Sequence, residues 1–145
     1  MEIVVKRFED LTLEELYGFL HCRQEVFVVE QNIIYQDLDY IDQHSTHMFI
    51  RHEGKIAAYL RIIDPGVKYK ESSIGRVLTM PEFRHKGLSR KLMIQAIEEV
   101  KAKDQMPIKI EAQEYLRNFY ESLGFKTLSA PFILEGISHI EMLLE

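Results

Sequence analysis

Gly75-Arg76-Val77-Leu78-Thr79-Met80-Pro81-Glu82-Phe83-Arg84-His85-Lys86-Gly87-Leu88-Ser89-Arg90-Lys91-Leu92 decides how this chain is read. The first part predicts a β-strand over 73–80, and Pro81, which cannot donate to a ladder, stops it. A short basic loop and the first turn of a long helix follow. Gly87 and Ser89 keep that loop slim, so main-chain N–H groups at the helix start can point outward without a partner. Such a terminus carries roughly half a positive charge, and Arg84, His85, Lys86 and Arg90 surround it. A phosphate group is the natural guest, and a phosphorylated cofactor is expected.

Downstream, a helix over about 87–103 places Leu88, Leu92, Ala96 and Val100 in one row, flanked by Met93 and Ile97. That stripe is broad enough to pack on a sheet. Pro107 precedes a short strand at 108–112. A helix over about 114–123 ends at Gly124, which suits a left-handed C-terminal position. Segments 125–128 and 137–144 close the chain as strands. Upstream, residues 48–52 and 55–63 read as two strands joined tightly at Glu53-Gly54. Before them, Thr12-Leu13-Glu14-Glu15 forms a capping box, with Leu11 and Leu16 placed for a hydrophobic staple. It opens a helix to about residue 27, with Leu13, Leu16, Tyr17 and Leu20 on one face. A first strand covers 3–7. Between helix and hairpin, residues 28–46 are irregular and rich in Asp, Gln and Tyr. The pattern predicts one mixed α/β domain over 1–145, without repeats or linkers.

A length of 145 residues allows an ordinary core without metal or disulfide staples. The net charge of −5 argues against broad nucleic-acid binding and makes the basic cluster at 84–91 more telling. Cys22 is the single cysteine, so no intrachain disulfide forms and a reducing compartment is expected. The N-terminal residues lack the apolar run of a signal peptide, and no segment approaches a membrane span. A soluble cytoplasmic protein is the expectation.

The element order resembles that of the GNAT superfamily of acyl-CoA-dependent N-acetyltransferases. Arg84-His85-Lys86-Gly87-Leu88-Ser89 is similar to that family's Arg/Gln-x-x-Gly-x-Gly/Ala loop, and Pro81 stands where the family often has proline. Tyr120-Glu121-Ser122-Leu123-Gly124-Phe125 is similar to its Tyr-x-x-x-Gly-Phe. Two longer segments look like the ElaA subgroup: Arg23 to Gln31 with Tyr35, Asp39, Asp42 and His47, and Glu135 to Met142. Ser89 replaces the commoner Gly or Ala, and Gln113 replaces an Asn carried by many relatives.

The resemblance implies a GNAT fold, a mostly antiparallel central sheet flanked by helices. It also implies acetyl transfer from acetyl-CoA to a primary amine in a ternary complex. The loop from Arg84 through His85, Lys86, Gly87, Leu88 and Ser89 would hold the CoA pyrophosphate through main-chain amides. Val77, Leu78 and Thr79 would pair with the pantetheine arm through free strand groups. Tyr120 would donate its phenol proton to the departing sulfur. Asn118, one turn earlier, either touches the cofactor or is a solvated helix residue.

Several readings stay open. A lysine-like amine is mostly protonated at neutral pH and needs a base. Glu30, Asp39, Asp42, His44, His47, Glu111 and His139 are the available acceptors, and a water chain would also serve. His139 is either a base or a satisfied core histidine. Asp37, Asp39 and Asp42 either favour a cationic acceptor or belong to a solvated loop. A metal site from Asp42, His44 and His47 is the weaker possibility, and no metal is expected. A sensor that binds acyl-CoA without turnover is the alternative to an enzyme. Cys22, inside the first helix, is poorly placed as a nucleophile. Phe132, Ile133 and Leu134 could serve a homodimer or the core.

Overall fold

The structure, a computed structural model, describes residues 1–145. Its strands and helices, in chain order, are β1 (Glu2–Arg7), α1 (Leu13–Arg23), β2 (Ser45–His52), β3 (Lys55–Ile63), β4 (Ser73–Thr79), α2 (Leu88–Ala102), β5 (Ile108–Gln113), α3 (Arg117–Glu121), β6 (Lys126–Thr127), β7 (Phe132–Leu134) and β8 (Ile137–Leu144). One antiparallel sheet runs β1-β2-β3-β4 and a second runs β5-β8-β6, with β7 also on β8. The expected central sheet is therefore two sheets. They are joined by a single parallel bridge between Ser72 and Ile108, where Lys109 N–H donates to the Ser72 carbonyl at 2.9 Å.

Alternation along β2 and β3 feeds two cores. Met48, Ile50, Ala58, Leu60 and Ile62 face α2, whose Leu88, Leu92, Met93, Ala96, Ile97 and Val100 are all buried, as the stripe predicts. Burying a Leu or Met side chain stabilises by about 1.5–3 kcal/mol, so this stripe fixes the helix on the sheet. Phe49, Tyr59 and Leu78 point the other way and meet Phe19, Cys22 and Val26.

The start of α1 follows its local chemistry. Thr12 Oγ accepts from Glu15 N–H at 3.0 Å and Glu15 Oε1 accepts from Thr12 N–H at 2.8 Å, a complete capping box. The face of this helix is corrected. Leu13 and Tyr17 are 85% and 80% exposed, whereas Phe19 and Cys22 are buried. The apolar count is similar on both sides, and the sheet covers the one carrying the wholly apolar Phe19 rather than the phenol of Tyr17. The helix also changes pitch, continuing as π-helix through Gln24–Glu30.

The Glu53-Gly54 turn has both residues at positive φ, 50° and 77°, the type I′ geometry that matches strand twist. Glu135-Gly136 repeats it at 51° and 75° between β7 and β8, a hairpin that the same dipeptide could have signalled. Gly124 ends the α3 region at φ 102°, with its N–H on the Glu121 carbonyl. A Cβ there would stand 3.0 Å from Leu144, so glycine serves both conformation and packing.

Candidate active site

From the bridge at Ser72, β4 and β5 diverge, and a cavity of about 750 Å³ opens between them. A bulge helps to part the strands. Tyr59 pairs with Leu78 and Arg61 with Gly75, so Arg76 and Val77 together oppose Leu60. Arg76 takes φ 54°, the left-handed region that a bulge can impose. Val77, Leu78, Thr79, Arg84, His85, Ser89 and Tyr120 all line this cavity. Lys86, Gly87 and Leu88 sit beside it in the loop, while Asn118 is exposed and does not line it.

The loop keeps its main-chain donors free. The N–H groups of His85, Lys86 and Gly87 meet no acceptor of the protein, and Gly87 opens α2 without any side-chain cap. Leu88, Ser89 and Arg90 form the first turn, whose N–H groups have no intrahelical partner by helix geometry. Left-handed His85 (φ 67°) and Gly87 (φ 73°) curl the chain around this point. No atom lies within 4 Å of a Cβ built on Gly87, so the concavity is open. Six unpartnered amides in and beside a helix start suit a diphosphate. The Ser89 hydroxyl is 2.6 Å from that of Thr79, fastening loop to strand.

Arg84 is already engaged. Its Nε donates to the Thr79 carbonyl at 2.9 Å, and its two terminal nitrogens donate to the Glu30 carboxylate at 2.6 Å each. Hydrogen bonding to Arg84 holds the Glu30 carboxyl below its usual range. Glu30 thus closes over the loop from the end of the π-helical turn.

Tyr120 stands at the other wall, packed edge-on against Phe119 and Phe125. No protein group hydrogen-bonds its hydroxyl, which is not sealed from the cavity. Burial pushes this phenol above its usual range, so it is a neutral proton donor at pH 7. Cys22 is buried, and its thiol is pushed up to about 11 by that burial, which makes a poor nucleophile.

The acidic loop is corrected. Asp37, Asp39 and Asp42 do not wait for a cationic acceptor, because Arg23, Arg61 and Arg76 take their charge. Arg23, fully buried, reaches Asp37 at 2.8 Å and Asp42 at 2.7 Å. Arg61, 2% exposed, reaches Asp39 at 2.5 Å and Asp42 at 2.9 Å. Arg76 joins Asp37 and Asp39 from the bulge. Burial raises the Asp39 carboxyl, but hydrogen bonds and charge from Arg61 outweigh it and bring it to about 2. These carboxylates pin residues 31–42 onto the sheet, an ionic lattice that composition alone could not separate from a ligand site.

The possible bases then sort by position. His47 is fully buried away from the cavity, with one nitrogen on the Tyr59 hydroxyl and the other on the Asp42 carbonyl. Its burial favours the neutral ring. Asp42 serves Arg23 and Arg61, and His44 is exposed, so these three form no metal-binding group. Glu30, Glu111 and His139 line the cavity. Burial raises the Glu111 carboxyl, but the Tyr69 hydroxyl donating to it and nearby Lys68 bring it below its usual range. Gln113 also lines the cavity, at the end of β5.

Comparison with known proteins agrees with this geometry. Residues 9–145 match the family described as an acetyltransferase (GNAT) domain. A UPF0039 protein of Schizosaccharomyces pombe is 39% identical over all of this chain and 97% of its own length. Protein ElaA of Escherichia coli is 33% identical over 94% of this chain and 91% of its own. Among solved structures, an acyl-CoA N-acyltransferase from Pseudomonas aeruginosa superposes with a TM-score of 0.95 at 34% identity, covering 99% of each chain. E. coli ElaA superposes at 0.93 and 31%, again covering 99% of each. The chain belongs to the GNAT acetyltransferase family, whose fold implies an acyl-CoA co-substrate.

Proposed function

We propose that this GNAT acetyltransferase moves an acetyl group from acetyl-CoA to a primary amine, by direct attack within a ternary complex. The observation that carries the reading is a ring of unpartnered main-chain amides joined by one cavity to the free hydroxyl of Tyr120. The amides from His85 to Arg90 would hold the diphosphate, with Lys86 adding charge. Val77, Leu78 and Thr79 would offer main-chain groups to the pantetheine amides, along the strand edge that the bulge turns toward the cavity.

The amine attacks the thioester carbon, the C–N bond forms, and the C–S pair passes to sulfur. Tyr120 donates its proton there, which lowers the charge on the leaving group. The acceptor would enter the same cavity, which Ile33, Tyr35, Arg76 and His139 also line. Asn118 would reach only the outer rim of the cofactor. The cytoplasm is the proposed site of action. Exposed Ile133 and partly exposed Leu134 are the proposed contact of a homodimer.

Isothermal titration with acetyl-CoA tests the cradle, and the expected result is saturable binding below millimolar concentration. Absence of binding at millimolar acetyl-CoA sinks the proposal. Screening primary amines with mass detection of the acetylated product tests the transfer. The second reading, a sensor without turnover, draws on the engagement of Glu30 by Arg84 and of Glu111 by Tyr69 and Lys68. Turnover of any amine well above background excludes it.

A further inference from the structure

The acceptor amine needs a group that takes its proton, and two of the three carboxylates that line the cavity are already engaged. Glu30 is held in a two-pronged pair by Arg84, and Glu111 receives the Tyr69 hydroxyl. Both are depressed below the ordinary carboxylate range, which weakens them further as bases. Glu135 belongs to the exposed β7–β8 turn, and of the titratable side chains of β8, His139 lines the cavity while Glu141 does not.

Its geometry is specific. Nδ1 lies 2.8 Å from the Ile137 carbonyl oxygen. A carbonyl can only accept, so in the neutral ring the proton sits on Nδ1 and the lone pair on Nε2. Nε2 has no partner in the protein and is not sealed off, and the residue lines the cavity. The ring stacks on Phe132 of β7, with centroids 6.1 Å apart and planes at 29°, which fixes its plane. An orienting bond on one nitrogen and a free lone pair on the other is how an imidazole base is held ready.

We infer that His139 is the general base of the transfer, taking the acceptor's proton on Nε2. This rests on the transferase reading above. As the amine nitrogen bonds to the acetyl carbon and the C–S bond breaks, one proton passes from nitrogen to Nε2. The electron pair goes to sulfur, which receives the Tyr120 proton. The imidazolium then releases its proton to solvent, and solvent restores Tyr120.

The charged and titratable groups around the ring are consistent with this role. Gln113 of β5 pairs with His139 in register, and Glu111 and Glu141 stand on the same sheet face, diagonal and adjacent along β5 and β8. Glu135 lines the cavity from the β7–β8 turn, and Tyr35 and Arg76 line it from the facing wall. Of these, the Glu111 carboxylate lies close enough to interact with the ring.

The test uses the full chain with acetyl-CoA and, as acceptor probe, the best-used member of a set comprising spermidine, benzylamine and a lysine-bearing peptide. Wild-type protein is expected to show an acidic limb in its pH–rate profile. His139→Gln is expected to lose that limb and to lower kcat by about 100-fold or more, with KM for acetyl-CoA held within about threefold. A variant that keeps the limb, or keeps kcat within about threefold, overturns the assignment.

Long-range 1H–15N NMR of wild-type protein gives a readout independent of turnover and of the variant's folding. A neutral Nδ1–H tautomer is expected, and an Nε2–H tautomer overturns it. Wild-type protein that fails to bind acetyl-CoA removes the transferase reading itself. Wild-type turnover beside a fully active His139→Gln removes the base alone.

Discussion

Two loops of the molecule treat their polar groups in opposite ways. In the segment from Asp37 to Asp42, three carboxylates meet three arginines, two of them buried, and hydrogen bonds satisfy most of the charge. In the segment from His85 to Arg90, the main-chain donors meet nothing. The first looks dense with chemistry as a string of letters, yet it is structural. The second, with three basic side chains around one glycine and one serine, is the proposed ligand site. Unsatisfied backbone, rather than a count of charged side chains, distinguishes a site from a brace.

The comparison breaks most readily at Asp42, where the largest effect is expected. Asp42→Asn leaves Arg23 and Arg61 without their shared anion, and a loss of about 3–5 kcal/mol in unfolding free energy should follow in urea titrations. Affinity of the folded protein for acetyl-CoA should stay within about threefold. A stable variant that no longer binds the cofactor would reverse the roles given to the two loops.

Tyr120→Phe probes the far wall of the cavity. It should lower kcat by about 100-fold, while the melting temperature and the acetyl-CoA affinity barely move. Full activity would remove the phenol as the acid. Gly87→Ala meets no neighbouring atom, so its cost is conformational, roughly 1–2 kcal/mol at a positive φ. Calorimetry should show weakened acetyl-CoA binding along with that loss of stability.

Acid sharpens the contrast further. Asp39 is held at about 2 in the folded chain, against about 3.9 for a free aspartate. A depressed pKa contributes stability that is complete above the unfolded value and disappears as pH falls through the folded one. Denaturation midpoints should therefore drop between about pH 4 and pH 2, and Asp39→Asn should flatten that slope. The smallest effect belongs to Glu30→Gln. Breaking a partly exposed pair changes stability by about 0.2–1 kcal/mol, but it frees Arg84 for the phosphates. Acetyl-CoA binding should tighten a few-fold, and weaker binding would mean that the bridge helps to shape the site.

Much of this was legible in the letters where the physics is local. The capping box of Thr12 and Glu15, the turn at Glu53-Gly54, the stripe of α2 and the amide-bearing loop all depend on neighbours within a few residues. What escaped reading depends on distant partners. Leu13 and Tyr17 looked as apolar as Phe19 and Cys22, and only the position of the sheet decided between them. The partners of Asp37, Asp39 and Asp42 are Arg23, Arg61 and Arg76, scattered over three elements, and no spacing announces them. The π-helical turn carries no signature of its own, yet it brings Glu30 to Arg84. His139 could be read as a core residue until the carbonyl of Ile137 fixed which of its nitrogens faces the cavity.

The stitch at Ser72 has a mechanical corollary. Its main chain holds the second sheet while its hydroxyl grips the Gln105 carbonyl at 2.8 Å, so the two halves of the molecule share one fulcrum. From Ser72 to Thr79 the strand runs about 23 Å at the usual rise, so a tilt of about 3° at the pivot changes the gape at the mouth by about 1 Å. At that length, a small change of angle at Ser72 is enough to alter the width of the cavity without unmaking a rung of either ladder.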